Sequence, residues 1–558
     1  MALGANSIID VRSGGSDTAN GGSFNTGYSG SLTFPSDGAA TVANTSSPVF
    51  SSASYNFVSG DVGAWLYIKS GSGWIPGWYQ IASVSSNKAT LTAGVGTAVL
   101  FFEGAPTGWN TVAGCATTAS PTTATWSIDY SQQQAAQFAP TTYSSPSSSA
   151  SAIMNWSGAT KAMVGNGVVI PTGVTGATAG YYQIISAVAG TSISFDRNWN
   201  TTTVTTGGAA IGIGGALASY GMAASIATVG GMLVAVKYNA SVYQATTAST
   251  NVSGGCVSGV AGVIYFGWNT QRWVGNNDTS LPTFQIGSGV ATATLFGNAS
   301  IYAVWNMILD GNSQTTSIGV RTKGIANNVL FKNFTAGGFL DNGSSITIPS
   351  LCQFCQFTGC SLVVPCQAAI ADTCEGYSNT ITPFTVGFAK DCLAYGNTGS
   401  TVDGFLNCTH MANCDGWDNG RDGSHYTTNS ILYTANNCIM EDNVGNGFNV
   451  TITASTLFLQ TCATYAGANS QVRSATSGFY IQDVNPQSQT SGSYFTNAAG
   501  GVFQLNATGG QGATLKAIGY PATFPAGLTN NYADVGAAQS QNTGGTSSIL
   551  VPIQMDAP

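Results

Sequence analysis

The chain has 558 residues, a formal net charge of −8 and only 6% charged residues, against about 25% in an ordinary soluble protein. With 14 Lys plus Arg and no basic run it lacks the means to neutralise a phosphate backbone, which excludes nucleic acid as a partner. An aromatic content of 10% excludes a disordered chain, and the length exceeds one ordinary compact domain unless the fold is a repeat, in which each unit touches only its neighbours.

Helix-favouring Lys, Glu and Arg are scarce, and Gly, Ser, Thr, Asn and Ala take their place, so the expected fold is all-β. No apolar stretch is long enough to cross a bilayer, so no membrane insertion is expected. The start, Met1-Ala2-Leu3-Gly4, lacks the basic and apolar regions of a signal peptide. The expectation is synthesis in a cytosol, with reduced thiols.

In chain order, residues 1–110 read as short strands between Gly and Ser turns, a small β-module. Residues 111–150 read as a linker, with a short helix at 130–138 and a Pro/Ser/Thr-rich stretch at 140–151. Residues 151–213 repeat the first module. Val62-Gly63-Ala64-Trp65-Leu66-Tyr67-Ile68 matches Val164-Gly165-Asn166-Gly167-Val168-Val169-Ile170, and Trp78-Tyr79-Gln80-Ile81 matches Tyr181-Tyr182-Gln183-Ile184, at an offset of 102 to 103 residues. A glycine cluster at 207–215 precedes an Ala-rich stretch at 216–229, read as a short helix capping a solenoid.

Residues 214–508 carry the signature of that solenoid. Cys374, Cys392, Cys414 and Cys438 are each followed five positions later by Asn379, Asn397, Asn419 and Asn443, and Cys462 continues the series. The cysteine steps are 18, 22, 24 and 24 residues, the length of a parallel β-helix coil, whose equivalent residues stack about 4.8 Å apart. Gly-Phe recurs at 338, 404, 447 and 478, where glycine would form a corner and phenylalanine would open an inward-facing strand. The tail, 509–558, is read as a terminal strand region or extension.

Pieces along the whole chain resemble the right-handed parallel β-helix proteins of the pectate-lyase-like superfamily found among tailed-phage tail spikes and virion proteins. They are Asp10-Val11-Arg12-Ser13-Gly14-Gly15-Ser16-Asp17-Thr18, Asp129-Tyr130-Ser131-Gln132-Gln133, the two Tyr-Gln-Ile modules, Gly214-Gly215-Ala216-Leu217 and Asp534-Val535-Gly536-Ala537-Ala538-Gln539. The resemblance implies a right-handed parallel β-helix solenoid preceded by two small β-modules. If the chain is a spike it also implies a homotrimer, although no coiled-coil heptads are present. A superfamily of lyases, glycosidases, adhesins and inert virion parts does not fix a function.

Twelve cysteines, with Cys352-x-x-Cys355 among them, raise zinc or redox chemistry. A zinc site would want a second close pair of ligands, and His410 and His425 lie far away in sequence, so no metal and no cofactor are expected. Buried cysteine behaves as a small hydrophobe, and an asparagine ladder can hydrogen-bond coil to coil. Both series are therefore read as a structural ruler.

The densest chemistry lies in Cys414-Asp415-Gly416-Trp417-Asp418-Asn419-Gly420-Arg421-Asp422-Gly423-Ser424-His425-Tyr426. The cysteine register sets Asp418 over Asp442, about 5 Å apart, the carboxylate separation of retaining glycosidases. Both are equally ordinary corner residues. Trp417, Arg421, Asp422 and Tyr426 are candidate glycan-binding residues, and Tyr265, Phe266, Trp268 and Trp273 are candidates either for a glycan groove or for core stacks. The poverty of cations counts against a lyase, which needs a base to take the proton. The expectation is a virion structural protein assembled in a host cytoplasm. It would join tail or head proteins through its N-terminal modules, recognise a host surface polysaccharide, and not be an enzyme. The alternatives are a glycosidase depolymerase using Asp418 and Asp442, and a head, tail or decoration protein that binds no glycan.

Overall fold

The computed structural model describes most of residues 8–516; the longest stretches outside the description before 516 include 14–23, 26–35, 92–114, 246–262, 271–279 and 342–349. The chain divides into two compact units, residues 1–241 with 254–282, and residues 242–253 with 283–558.

The first unit holds the duplicated modules. One sheet runs in the order Ala39–Val42, Val49–Ser51, Lys88–Leu91, Gly77–Ser85, Trp65–Ser70, Thr125–Asp129. The other runs Ile153–Asn155, Ser192–Phe195, Gly180–Val188, Gly167–Ile170, Gly212–Ile213. Five antiparallel strands thus repeat in the same order. The repeat extends to detail: a β-bulge falls between Ile81 and Ser83 in one module and between Ile184 and Ser186 in the other. Tyr79 donates its hydroxyl to the Ile75 carbonyl at 2.9 Å, and Tyr182 to the Thr178 carbonyl at 2.7 Å. Each sheet buries its own aromatic core, with Phe50 edge-on to Trp126 in one and Phe195 edge-on to Trp199 in the other, at centroid distances of 5.3 and 6.0 Å.

Two sequence boundaries move. Thr125–Asp129, placed in the linker, is the edge strand of the first module, paired with Trp65–Ser70. Ile8–Val11, placed in the first module, instead pairs in parallel with Leu233–Lys237, a strand assigned to the solenoid. The helix expected at 130–138 lies outside the described residues except for Phe138, which bridges Ile213. Of 216–229 only Leu217, bridged to Val11, and Ala223, in helical conformation, are described.

The second unit is a parallel β-helix, and the all-β, right-handed solenoid class holds. Each coil contributes one strand to each of three ladders. The first ladder includes Leu351–Gln353, Ile370–Asp372, Phe388–Lys390, His410–Ala412, Leu432–Asn436 and Thr456–Gln460. The second includes Gln356–Thr358, Glu375–Tyr377, Leu393–Tyr395, Asp415–Trp417, Ile439–Glu441 and Ala463–Tyr465. The third runs from Phe339–Leu340 through Cys366–Gln367 and the single bridge at Phe384 to Phe405–Leu406, Ser424–Tyr426 and Phe448–Val450. Most strands of the first two ladders are three residues long, so the period-two alternation turns the middle side chain inward and two outward. The inward series of the first ladder, Cys352, Ala371, Ala389 and Met411, is fully buried.

Two left-handed corners frame the second strand of the coils in which both ends are described. Before it stand Asn328, Phe354, Thr373, Asp391, Asn413, Asn437 and Thr461, with φ between 51° and 54°. After it stand Ser378, Gly396, Asp418 and Asp442, with φ between 48° and 58°. Short polar residues and glycine tolerate this region best. The Gly-Phe corners have a different cause. A Cβ on Gly404 would lie 2.7 Å from the Gly423 carbonyl oxygen and 2.9 Å from Asn419 Nδ2, so close stacking of coils, not φ, demands glycine there. Phe339, Phe405 and Phe448 follow such corners and are fully buried; Phe479 lies outside the described residues.

Candidate functional site

The ladder cysteines point inward and stack. Cys374, Cys392, Cys414, Cys438 and Cys462 are fully buried and in no disulfide, and Cys355 extends the column by one coil. Cys374 donates to the Cys352 carbonyl at 3.3 Å and Cys462 to the Ala435 carbonyl at 3.2 Å. Burial pushes the Cys374 and Cys414 thiols well up and the Cys408 thiol to about 12. Those three thiols are held neutral.

The asparagines form a parallel column. Asn379 donates to Asn397 Oδ1 at 3.0 Å, Asn397 to Asn419 Oδ1 at 2.8 Å, and Asn419 to Asn443 Oδ1 at 2.9 Å. Each amide also donates to a second-strand carbonyl: Phe357, Gly376, Ala394 and Gly416 in turn. A second polar column, at the corner before the second strand, escaped sequence reading. There Asn413 donates to Asp391 at 2.9 Å and Asn437 to Asn413 at 3.2 Å. Its signal is a polar residue immediately before each ladder cysteine.

Asp418 and Asp442 occupy equivalent corners on adjacent coils, next to the paired residues Trp417 and Glu441, and both are exposed. Desolvation first, then the charge of Asp442, raises the Asp418 carboxyl above the ordinary aspartate value. Their left-handed backbone accounts for aspartate at both positions. Trp417 is half-buried against a cluster formed by residues 493–515.

Two candidate glycan-binding residues are corrected. Tyr426 is fully buried, 4.5 Å ring to ring from Tyr433, with its hydroxyl 3.5 Å from Met411 Sδ, because its position in the third ladder faces the core. Asp422 is 1% exposed and accepts from Asn446 N at 2.7 Å and Asn449 Nδ2 at 2.9 Å, so its carboxylate is spent on the next coil. Tyr265, Phe266 and Trp268 are buried as well, while Trp273 is outside the described residues.

Asp422 belongs to a buried network that sequence reading caught only in part. Arg421 Nε donates to Asp403 Oδ1 at 2.7 Å, and its Nη2 pairs with Asp403 Oδ2. His425 Nδ1 lies 3.3 Å from Asp403 and 3.7 Å from Asp422, and its Nε2 lies 3.0 Å from Thr451 Oγ1. Asp403, Asp422 and His425 offer ligand atoms within 4.8 Å of one another, a spacing that suits a metal ion. Arg421 already brings a positive charge to Asp403, and Asn446 and Asn449 donate to Asp422, so the network reads as an internally hydrogen-bonded brace between coils. Asp403 was missed because its partner lies one coil away. The repeated Asp-Gly corners, Asp403-Gly404 and Asp422-Gly423, carry the register that aligns them.

The outward face of the second ladder was also missed. It carries Glu375, Leu393, Asp415 and Ile439 in one column and Tyr377, Tyr395, Trp417, Glu441 and Tyr465 in the next. Burial holds the carboxyls of Glu375 and Glu441 up at about 7. On the outward face of the first ladder the first residues include the apolar Leu351, Ile370 and Phe388, while the third residues Gln353, Asp372 and Lys390 are polar and half-buried to exposed. Asn327 donates to Gln353 at 3.0 Å, Gln353 to Asp372 at 3.1 Å, and Lys390 pairs with Asp372 at 3.6 Å.

Strand pairing and these columns define the class: a parallel β-helix protein with polar and aromatic outer ladders. No family model and no curated protein matches the chain. Among solved structures it is similar to the A-module of mannuronan C-5 epimerase AlgE6 from Azotobacter vinelandii, at 13% identity over 47% of this chain and 87% of that one, TM-score 0.27. It is similar to pectate lyase Pel9A at 14% identity, over 58% of this chain and 92% of that one, TM-score 0.30. The tailspike protein gp49 of Pseudomonas phage LKA1 matches at 12% identity over 64% of this chain and 66% of that one, TM-score 0.19. Likenesses this distant carry no functional argument.

Proposed function

We propose that this chain is a glycan-recognising β-helix of the tail-spike type, acting as a homotrimer on a phage particle and meeting a host surface polysaccharide with the outer faces of its coils. The observation that carries this reading is the outward row Asn327, Gln353, Asp372, Lys390, whose amides, carboxylate and ammonium are fixed against one another at one-coil spacing. Such a row presents oriented donors and acceptors to a polyhydroxylated chain without paying again for side-chain ordering. The scarcity of charge elsewhere suits an uncharged, hydroxyl-rich partner and limits non-specific ionic attraction. The duplicated modules, each with its own core within the first unit, are suited to attachment.

A depolymerase reading rests on the Asp418 carboxyl, raised beside Asp442 as an acid next to a charged partner would be. Incubation with envelope polysaccharide, followed by chain-length analysis, separates the two. The recognition reading expects saturable binding, unchanged chain length, and at least a tenfold loss of affinity in Gln353→Ala. Shortening that disappears in Asp418→Asn would replace it with the enzyme reading. Light scattering on the purified protein tests the trimer directly.

A further inference from the structure

The second ladder turns its first and third residues outward, as the first ladder does, yet several of them are buried. Leu393, Asp415, Ile439, Glu441 and Ala463 are at most 6% exposed. Their cover is the segment 493–515, in which the strand Phe495–Asn497 pairs antiparallel with Val502–Leu505 and a short helix, Gly512–Leu515, follows. The segment is tied together by Asn506, which donates to the Ser493 carbonyl at 2.6 Å and accepts from Gly512 N at 3.0 Å. It docks through Phe503 on Tyr395, centroids 4.7 Å apart, and through a cluster of Tyr494, Phe495, Leu505 and Leu515 on Leu393, Ile439 and Ala463. The surface beneath is not ordinary core. It holds two buried carboxylates, Asp415 and Glu441, beside three half-buried aromatic residues of one column: Tyr395 and Trp417 on adjacent coils, and Tyr465 two coils beyond Trp417 with Glu441 between. Carboxylates set among aromatic faces match the hydroxyls and apolar faces of sugar rings, and burying them under a hydrophobic lid is costly.

We propose that residues 493–515 are a removable, proton-sensitive strap over a second polysaccharide-binding face formed by the outward columns of the second ladder. The polysaccharide part rests on the glycan-recognition reading above; the strap does not. With Glu375, Asp415 and Glu441 ionised, the uncovered face is acidic and selects neutral rather than uronate-rich chains. The pH-sensitive group is Glu441, buried under the strap; its carboxyl accepts from Tyr494 N at 2.9 Å, a bond that favours the anion but is outweighed by desolvation. The titratable groups around it are Asp442 on its own coil, Asp415 and Tyr465 on neighbouring coils and Tyr494 on the strap. Desolvation under the strap raises the Glu441 carboxyl to about 7. The covered state therefore binds a proton more tightly than the open state. Its stabilisation is complete below the ordinary glutamate range and is lost as pH rises through about 7.

Hydrogen exchange on the full chain without glycan tests the strap. Once intrinsic rates are corrected for, the amides of 493–515 are expected to open about 10²-fold more often at pH 9 than at pH 5. The cysteine-ladder strands should not follow, and Glu441→Gln should remove the pH dependence. Equal protection at both pH values, or the same loss in Glu441→Gln, overturns the strap. A second arm titrates dextran and polygalacturonate at pH 6 and pH 9. Dextran is expected to bind better at pH 9, and Phe503→Ala, which loosens the lid, is expected to give the pH 9 affinity already at pH 6. Opening without dextran binding at either pH leaves the strap standing and overturns the neutral-polysaccharide face. Tighter binding of polygalacturonate overturns the predicted selectivity.

Discussion

The asparagine column and the carboxylate columns of the second ladder run side by side on the same coils and meet burial in opposite ways. Each asparagine between Asn379 and Asn443 both donates and accepts along the axis, so the amides satisfy one another in the interior. Stacked carboxylates cannot, because ionised they only accept. Glu375 borrows a donor from Gln356 at 3.1 Å, and Glu441 borrows one from Tyr494, and both carboxyls rise to about 7. Identical register therefore yields a structural element from one chemistry and a responsive one from the other.

The largest expected effect breaks the amide side. Asn419→Ala would remove two rungs and leave the Ala394 carbonyl and the Asn443 amide oxygen without that partner. A loss of about 3–5 kcal/mol is expected in denaturant unfolding of the coil region, since each buried unsatisfied group costs about 1–3 kcal/mol. A loss under 1 kcal/mol would show that the column contributes little. Next, Asp403→Asn leaves Arg421 and His425 facing a neutral amide. It should cost about 3 kcal/mol, as breaking a buried pair from one side does, while Arg421, 33% exposed, should cost less when replaced by Met.

A pH series sharpens the carboxylate side. The raised Glu375 carboxyl favours the folded state at acid pH and opposes it once pH passes about 7. Glu375→Gln should therefore be near neutral in stability at pH 5 and stabilising at pH 9. The reverse order would mean that the glutamate is stabilised as its anion. The smallest effect belongs to the exposed corner. Asp418→Gly suits the φ of 48° and should change stability by less than about 0.5 kcal/mol, whereas Asp418→Val should cost about 1 kcal/mol or more.

The coils were legible in the sequence because Cys374 to Cys462, Asn379 to Asn443 and the Gly-Phe corners recur at one coil length, and burial forces each series to the same side. Arg421 and Asp422 were legible as a charge concentration, but their direction was not. The carboxylate of Asp422 turns to the next coil, and Asp403 comes from the one before. The segment 493–515 was read partly as the last of the coils and partly as an extension. It has no period to read, and its position depends on side chains several coils away. The edge strand Thr125–Asp129 was hidden for a similar reason, being far in sequence from the strand Trp65–Ser70 that it pairs with.

The central claim is that the outer faces of these coils bind polysaccharide. The most direct test is calorimetric titration of the intact protein with purified host-envelope polysaccharide, alongside Gln353→Ala and Tyr377→Ala, which alter half-buried residues of the first and second outer ladders. The account predicts saturable binding by the unmodified protein and at least a tenfold weakening in each variant, with each variant still folded at the titration temperature. Binding that both variants retain in full would contradict it.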